Sequence, residues 1–358
     1  MNVLERMSHD DFEQVMFCHD ETAGLRAIIA IHDTTLGPAV GGLRMHPYSS
    51  EADALDDLVR LSRAMTLKAA AAGLDLGGGC AVVLGDPRKD KSEALLRSFG
   101  RHLECLSGRL YVAEDVGTNV EDMETISQET RYVAGLRKSR GGSGDPATKA
   151  AAGIKRGISA CLAAAFEDSG LRGRRIAIQG VGAVGSELAR LLAEEGARVF
   201  VADRDPARLD KLMAFVDVEK VPADKLLTLD CDVLAPCALG GIITEELVPS
   251  LQCRIIAGSA NNQLENERVE QLLYDRGIIY APDFVINAGG LINVAEELSG
   301  YDENTANLKI GKLYQSIEHI LQIARERSIT SVAAARELAM QRIRLIREVR
   351  RTYLPSEH

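Results

Sequence analysis

Two spacings of apolar residues alternate along the chain. Arg26 to His32 and Ala39 to Met45 read as strands, linked by the turn-rich Thr34-Thr35-Leu36-Gly37-Pro38. Ser50-Glu51-Ala52-Asp53 is a helix-capping pattern. Leu55, Leu58, Val59, Ser62 and Met65 then recur as one buried face of a helix that carries Lys68 near its end. Glycines at 73, 77, 78 and 79 interrupt that helix, after which Ala81 to Leu84 reads as a short buried strand. A helix from about Lys91 to Leu106 precedes the strand Leu110 to Ala113, which runs into Glu114-Asp115-Val116-Gly117.

Gly and Ser dominate Arg140-Gly141-Gly142-Ser143-Gly144-Asp145-Pro146. Such residues permit wide backbone angles, so a hinge is expected there, with a domain boundary just before it. Beyond it the rhythm is regular. Ile176 to Gln179, Val199 to Ala202, Val233 to Ala235, Ile255 to Ala257 and Ile278 to Ala281 read as strands separated by helical patterns. That alternation predicts a parallel sheet covered on both faces. The expected fold class is α/β in two domains, residues 1–138 and 139–321. From about Gln322 to Tyr353 the chain is amphipathic, basic and helical, and the tail 322–358 either returns to the first domain or joins subunits.

Arg175-Ile176-Ala177-Ile178-Gln179-Gly180-Val181-Gly182-Ala183-Val184-Gly185 is a strand, a GxGxxG turn and the start of a helix. Gly180 permits the tight turn, Gly182 lets the backbone approach a pyrophosphate, Gly185 allows close helix packing, and the helix N-terminus attracts phosphate. Alone the motif is weak. Here a second strand, Ala197 to Ala202, ends in Asp203 roughly 20 residues on, as a Rossmann dinucleotide site requires. That carboxylate would accept the adenosine ribose hydroxyls and repel a 2'-phosphate, which favours NAD; Arg204 beside it is the feature that speaks for NADP.

With 46% hydrophobic and 26% charged residues in 358, the composition is that of a soluble protein of two ordinary domains, and no apolar run is long enough to span a bilayer. The opening Met1 to Met7 carries charges where a secretory signal needs an apolar core, so a cytoplasmic location is expected. A net charge of -10 and scattered Lys and Arg argue against a nucleic-acid partner and for a small metabolite. The seven cysteines lack CxxC spacing and mostly lie among Leu, Val and Ala, as reduced buried thiols do. The seven histidines include no HExxH and no pair at helical spacing, so no catalytic metal is expected.

Several stretches are specific in combination: Val40-Gly41-Gly42-Leu43-Arg44-Met45, Ser50 to Leu55, Met65-Thr66-Leu67-Lys68-Ala69-Ala70, Ala113-Glu114-Asp115-Val116-Gly117, Ala235 to Gly241, and Ala281 to Gly290. Over nearly its whole length the chain resembles the NAD-dependent leucine, phenylalanine and valine dehydrogenases, most closely the leucine dehydrogenases. The resemblance implies reversible oxidative deamination of an L-amino acid to a 2-oxo acid, with hydride passing from the α-carbon to the nicotinamide. It implies that Lys68 holds the substrate carboxylate and that Asp115 takes part in proton transfer and steadies the substrate amine. Val40, Ala113, Leu291 and Val294 would build an apolar side-chain pocket, with Gly41, Gly42 and Met65 also at the substrate. Asn262 and Asn287, with Cys237 and Ala238, fall near the nicotinamide and substrate, and Gly77, Gly78 and Gly79 look like a loop that lets the substrate approach the backbone. Family members are oligomers, so a homo-oligomer is expected.

One position departs. The family motif is Gly-Gly-Gly-Lys, whose lysine acts as base toward the water that attacks the imine and as a cation beside the developing oxyanion; here that position is Cys80. A thiol cannot be cationic, and burial beside Asp115 disfavours its ionisation, so Cys80 is expected to be a neutral, poor base and ordinary deamination to be severely reduced. The stretch Gly144 to Ala150 also lacks two family hydroxyls, at Ala147 and Ala150, and adds Lys149, whose amine is available in principle to the substrate site. Three functions remain. The first is an NAD-dependent oxidoreductase acting on an apolar L-amino acid or its imine. The second is a non-catalytic NAD- and amino-acid-binding paralogue that senses or partners an active subunit. The third is aldehyde oxidation through the Cys80 thiol. The intact nucleotide fingerprint favours the first.

Overall fold

The computed structural model describes residues 3–349. The chain divides into two compact units, one of Met1–Asp145, Val294–Asp302 and Ala339–His358, the other of Pro146–Asn293 and Glu303–Leu338. The boundary therefore falls after the glycine-rich stretch rather than before it. Glu297 is the physical reason: its carboxylate accepts from the Gly135 N–H (2.9 Å) and the Ser143 N–H (2.8 Å), which ties that stretch into the first unit.

The first unit is a mixed sheet of β1 (Gln14–Asp20), β2 (Leu25–Asp33), β3 (Ala39–His46), β4 (Gly77–Leu84) and β5 (Leu110–Glu114), in the order β1-β2-β4-β3-β5. β1 with β2 and β2 with β4 are antiparallel, whereas β3 runs parallel to both β4 and β5. After α1 (Val3–Asp10), α2 (Glu51–Ala71) lays Leu55, Leu58 and Val59 on Ile28, Ala30, Cys80 and Val82. α3 (Glu93–Glu104) and α4 (Val120–Ile126) cover the opposite face, with Phe99, Leu103 and Met123 packed against Leu25, Leu43 and Leu110. Ser50 caps α2 as its sequence implies, accepting the Asp53 N–H at 3.1 Å.

Gly77, Gly78 and Gly79 are not a loop. They open β4, an interior strand of the sheet, and are buried. A Cβ on Gly77 would lie 1.9 Å from the Asp33 carbonyl oxygen, and one on Gly78 would lie 2.1 Å from the Thr66 backbone nitrogen. The glycines thus let β2 and α2 close onto the β4 backbone.

The second unit is an all-parallel sheet of β6 (Arg175–Gln179), β7 (Arg198–Ala202), β8 (Glu219–Lys220), β9 (Val233–Pro236), β10 (Ile255–Ile256) and β11 (Ile279–Tyr280), in the order β11-β10-β9-β6-β7-β8. β6 is the first strand of this unit and sits mid-sheet, so the order reverses beside it. A Rossmann fold binds its ligand at the carboxyl ends of the strands there. α5 (Ala147–Phe166) leads into the sheet and α6 (Ala183–Glu194) follows β6.

The tail is two helices rather than one. Leu313–Arg327 ends where Ser328 takes φ +53°, and Ser331–Val349 follows; residues 350–353 of the expected helix lie outside the described residues. Residues 322–338 belong to the second unit, and residues 339–349 return to the first. There Arg342 donates to the Ala70 and Leu74 carbonyls and to Asp75, closing the C-terminal end of α2 with a cation. Among the described residues no helix is long and apolar enough to cross a membrane, and no cluster of His, Cys, Asp and Glu could hold a metal ion.

Candidate active site

In the first unit the site begins with a break in a ladder. β3 pairs with β4 through Val40 and Gly78 and again through Leu43 and Ala81, and the register passes over Gly41-Gly42 and Gly79-Cys80. Close approach replaces pairing there. A Cβ on Gly41 would sit 2.6 Å from the Cys80 sulfur, and one on Gly42 would sit 2.6 Å from Oδ2 of Asp115. The two glycines therefore bring Cys80 and Asp115 against β3.

Asp115 follows β5 in a tight turn. Its N–H donates to the Thr118 hydroxyl (2.9 Å), which donates to the Leu43 carbonyl (2.7 Å), and its Oδ1 accepts the Val116 N–H (2.6 Å). Arg44 Nη2 donates to both carboxylate oxygens (3.2 and 3.4 Å), while Nη1 donates to Asp57 on α2 (2.7 Å). Asp57 also accepts the Tyr48 hydroxyl at 2.7 Å. Burial works against the Arg44 charge, but Asp115 and Asp57 outweigh it and hold the guanidinium above its ordinary value. Burial likewise pushes Asp57 up, and Tyr48 and Arg44 bring it below the usual carboxylate range.

Cys80 is 1% exposed. Burial, with a smaller push from Asp115, raises its thiol to about 12 against the opposing pull of Gly42, Ser62 and Arg44. A thiol there is neutral at pH 7 and lies among Leu55, Leu58 and Val59, so thiolate-dependent aldehyde oxidation has no support. Met65 packs on the same cluster, and Lys68, half-buried, stands in the last turn of α2. Val40 is buried on β3, Ala113 pairs with Gly42, and Val294 is buried in the same unit.

In the second unit the GxGxxG glycines do three different things. Gly180 has φ +95°, where its Cβ would also strike Ala238 at 2.6 Å. Gly185 would strike the Gly180 carbonyl at 2.0 Å, so α6 packs directly on the turn. Gly182 has open space instead, with nothing nearer its missing Cβ than Arg208 Nη1 at 3.8 Å. That opening lies at the N-terminal end of α6, begun by Ala183 and Val184, where N–H groups await an anion. Asp203 directly follows β7 and accepts the Val181 N–H (2.7 Å) and the Asp205 N–H (2.9 Å). Burial alone would raise it, but those donors lower it below the usual range. Oε1 of Gln179, just before the turn, is buried without a partner among the described residues, an acceptor left for a ligand. These features fit a bound dinucleotide.

Cys237 follows β9, its thiol raised by burial, and Asn262 adopts φ +50°. Asn287 donates to Asn261 Oδ1 (2.7 Å) and the Ser259 carbonyl (3.2 Å), which places it against the loop carrying Asn262; its own Oδ1 is buried without a partner among the described residues. Leu291 lies half-buried on helix Gly289–Ala295. Lys149 does not lend its amine, because Nζ donates to Glu303 (2.8 Å) and Asn307 (2.6 Å). The residues that sequence reasoning missed are Arg44 as a partner of Asp115, and Asp57 and Tyr48 behind it. Arg44 stood in a quoted motif, but bonds from a strand to a later helix and a later turn leave no periodic trace.

A Rossmann cradle in one unit and an acid held by a guanidinium in the other define an oxidoreductase of the amino-acid dehydrogenase class. Residues 12–132 match the Glu/Leu/Phe/Val dehydrogenase dimerisation domain, and residues 202–351 match the Glutamate/Leucine/Phenylalanine/Valine dehydrogenase domain. The chain belongs to this family. It is 48% identical to the leucine dehydrogenase of Thermoactinomyces intermedius over 357 residues, covering 100% of this chain and 98% of that one. It is 43% identical to the phenylalanine dehydrogenase of the same organism over 355 residues, covering 99% and 97%. The crystal structure of L-tryptophan dehydrogenase from Nostoc punctiforme superposes with a TM-score of 0.87 at 43% identity, covering 96% of this chain and 99% of that one.

Proposed function

We propose that this protein is an NAD-dependent L-amino-acid dehydrogenase acting on an apolar amino acid and the matching 2-oxo acid, with deamination slowed by Cys80. The observation that carries the reading is Asp115, pinned beside Gly42 by Arg44 and the Val116 N–H in the unit that also holds Lys68. When bound, the nicotinamide supplies the hydride acceptor. Lys68 binds the substrate carboxylate as a cation. Asp115 steadies the substrate amine and exchanges its proton. Cys80, neutral, neither takes a proton from the attacking water nor offsets the oxyanion, so one acid-base group is absent and the rate is lower by about 10²- to 10⁴-fold than with a lysine there.

Val40 and Ala113 are small and apolar, which supports an aliphatic side chain in the substrate. Asp203, ionised at the end of β7, supports NAD over NADP by repelling a 2'-phosphate. A match to a dimerisation domain supports a homo-oligomer. The test is reduction of NAD by the purified protein with a panel of L-amino acids, beside calorimetric titration of NAD. Slow turnover restricted to apolar amino acids is expected. Tight NAD binding with no turnover of any amino acid would instead establish the non-catalytic binding paralogue.

A further inference from the structure

The first unit contains a run of four polar side chains of which the proposed reaction uses only the last. Tyr48 donates to Asp57, Arg44 donates to Asp57, and the other arm of the same guanidinium donates to Asp115. The three ionic side chains are 20%, 19% and 24% exposed for Arg44, Asp57 and Asp115, so water competes weakly for these bonds. Asp57 is anchored from several sides, by Tyr48, by Arg44 and by Arg60 at 3.3 Å. It is a fixed post on α2. Asp115 has fewer restraints, its only other side-chain oxygen contact among the described residues being the adjacent Val116 N–H. The guanidinium therefore transmits the rigidity of α2 to Asp115, as a planar two-armed donor can and a single ammonium cannot. The neighbouring Cys80 contributes no charge, whereas Arg44 is a cation bonded to Asp115.

We infer that Arg44 is a positioning residue, the cation that holds the Asp115 carboxylate where the substrate amine must meet it, in a chain whose lysine position is Cys80. The inference rests on the role proposed for Asp115 above. It differs from a merely structural tie in what its loss changes. A tie would alter melting alone, whereas a positioning residue alters kcat far more than the amino-acid KM, to which Lys68 and Asp115 both contribute.

The experiment compares Arg44→Gln, Arg44→Lys and Tyr48→Phe with the parent, measuring kcat, KM, thermal melting and NAD affinity. Arg44→Gln should lose about 10²-fold in kcat, the cost of an ångström-scale misplacement, with KM raised only severalfold and NAD affinity close to parental. Arg44→Lys should recover part of that loss, since it keeps the charge but one arm only. A folded Arg44→Gln with parental kcat, or a lysine variant no better than glutamine, overturns the inference. Should Arg44→Gln not fold, Tyr48→Phe, which loosens only Asp57, should lower kcat severalfold, and parental kcat there overturns it. If the parent turns over no amino acid, the proposed function fails and crystal structures decide this inference separately. The Asp115 carboxylate should leave its place beside Gly42 in Arg44→Gln or, if that does not fold, shift in Tyr48→Phe; an unmoved carboxylate refutes the assignment.

Discussion

Replacing Gly42 by alanine is the sharpest perturbation of the Asp115 site. The added Cβ would lie 2.6 Å from both Cβ and Oδ2 of Asp115 and 3.0 Å from its Cγ. Ordinary carbon contacts are about 3.5 Å, so the side chain must retreat by about 1 Å. Cγ and Oδ2 can turn away about χ1, since the side chain is 24% exposed, but Cβ is fixed to the backbone, so the turn at Asp115 must shift with it. The retreat stretches bonds to Arg44 that already measure 3.2 and 3.4 Å, past the range of a useful hydrogen bond. Stability should fall within the 1 to 3 kcal/mol typical of overpacking that moves backbone, about 2 kcal/mol. Activity should fall further, on the order of 10²-fold in kcat, because a reacting group is displaced by about 1 Å. Steady-state kinetics with the best L-amino acid, beside a thermal melt, separates the two effects. A folded Gly42→Ala protein with parental kcat would show that Asp115 has no positional role.

Three other outcomes are expected. Gly180→Ala combines φ +95° with a 2.6 Å approach to Ala238 and should abolish NAD binding in calorimetry; parental affinity would contradict the cradle. Iodoacetamide at neutral pH should label exposed Cys105 and leave Cys80 unmodified, since burial holds that thiol near 12; equal labelling by mass spectrometry would contradict its assignment as neutral and buried. Asp57 titrates in the folded state below its unfolded value of roughly 3.9, so its stabilising effect is complete above that value and is lost as pH falls through the folded one. Asp57→Asn should therefore flatten the acid limb of the melting temperature against pH, and an unchanged limb would refute the pairing.

The parts of the fold that were legible in the amino-acid sequence are those with a local cause. Ser50 and the apolar stripe from Leu55 announce α2, and Gly180, Gly182 and Gly185 announce the nucleotide turn because each glycine answers a demand within the motif. β8 was invisible: Glu219 and Lys220 are exposed and polar and form a strand only through β7. The glycines at 77–79 misled, since a glycine run looks like a loop, while here their missing Cβ atoms admit Asp33 and Thr66 from elements distant in sequence. At the site, Asp115 and Cys80 could be named from motif resemblance. Arg44 as the partner of Asp115 could not, because its two arms reach residues 13 and 71 positions away. The tail's return was undecidable for the same reason, as Arg342 meets α2 only once both are folded.

The most direct measurement is turnover of L-leucine with NAD by the parent and by Cys80→Lys, side by side. Restoring the ammonium should raise kcat by about 10²- to 10⁴-fold, as returning a positioned acid-base group does, with NAD affinity unchanged. A parent as fast as the lysine variant would mean that a neutral, buried Cys80 costs the reaction nothing.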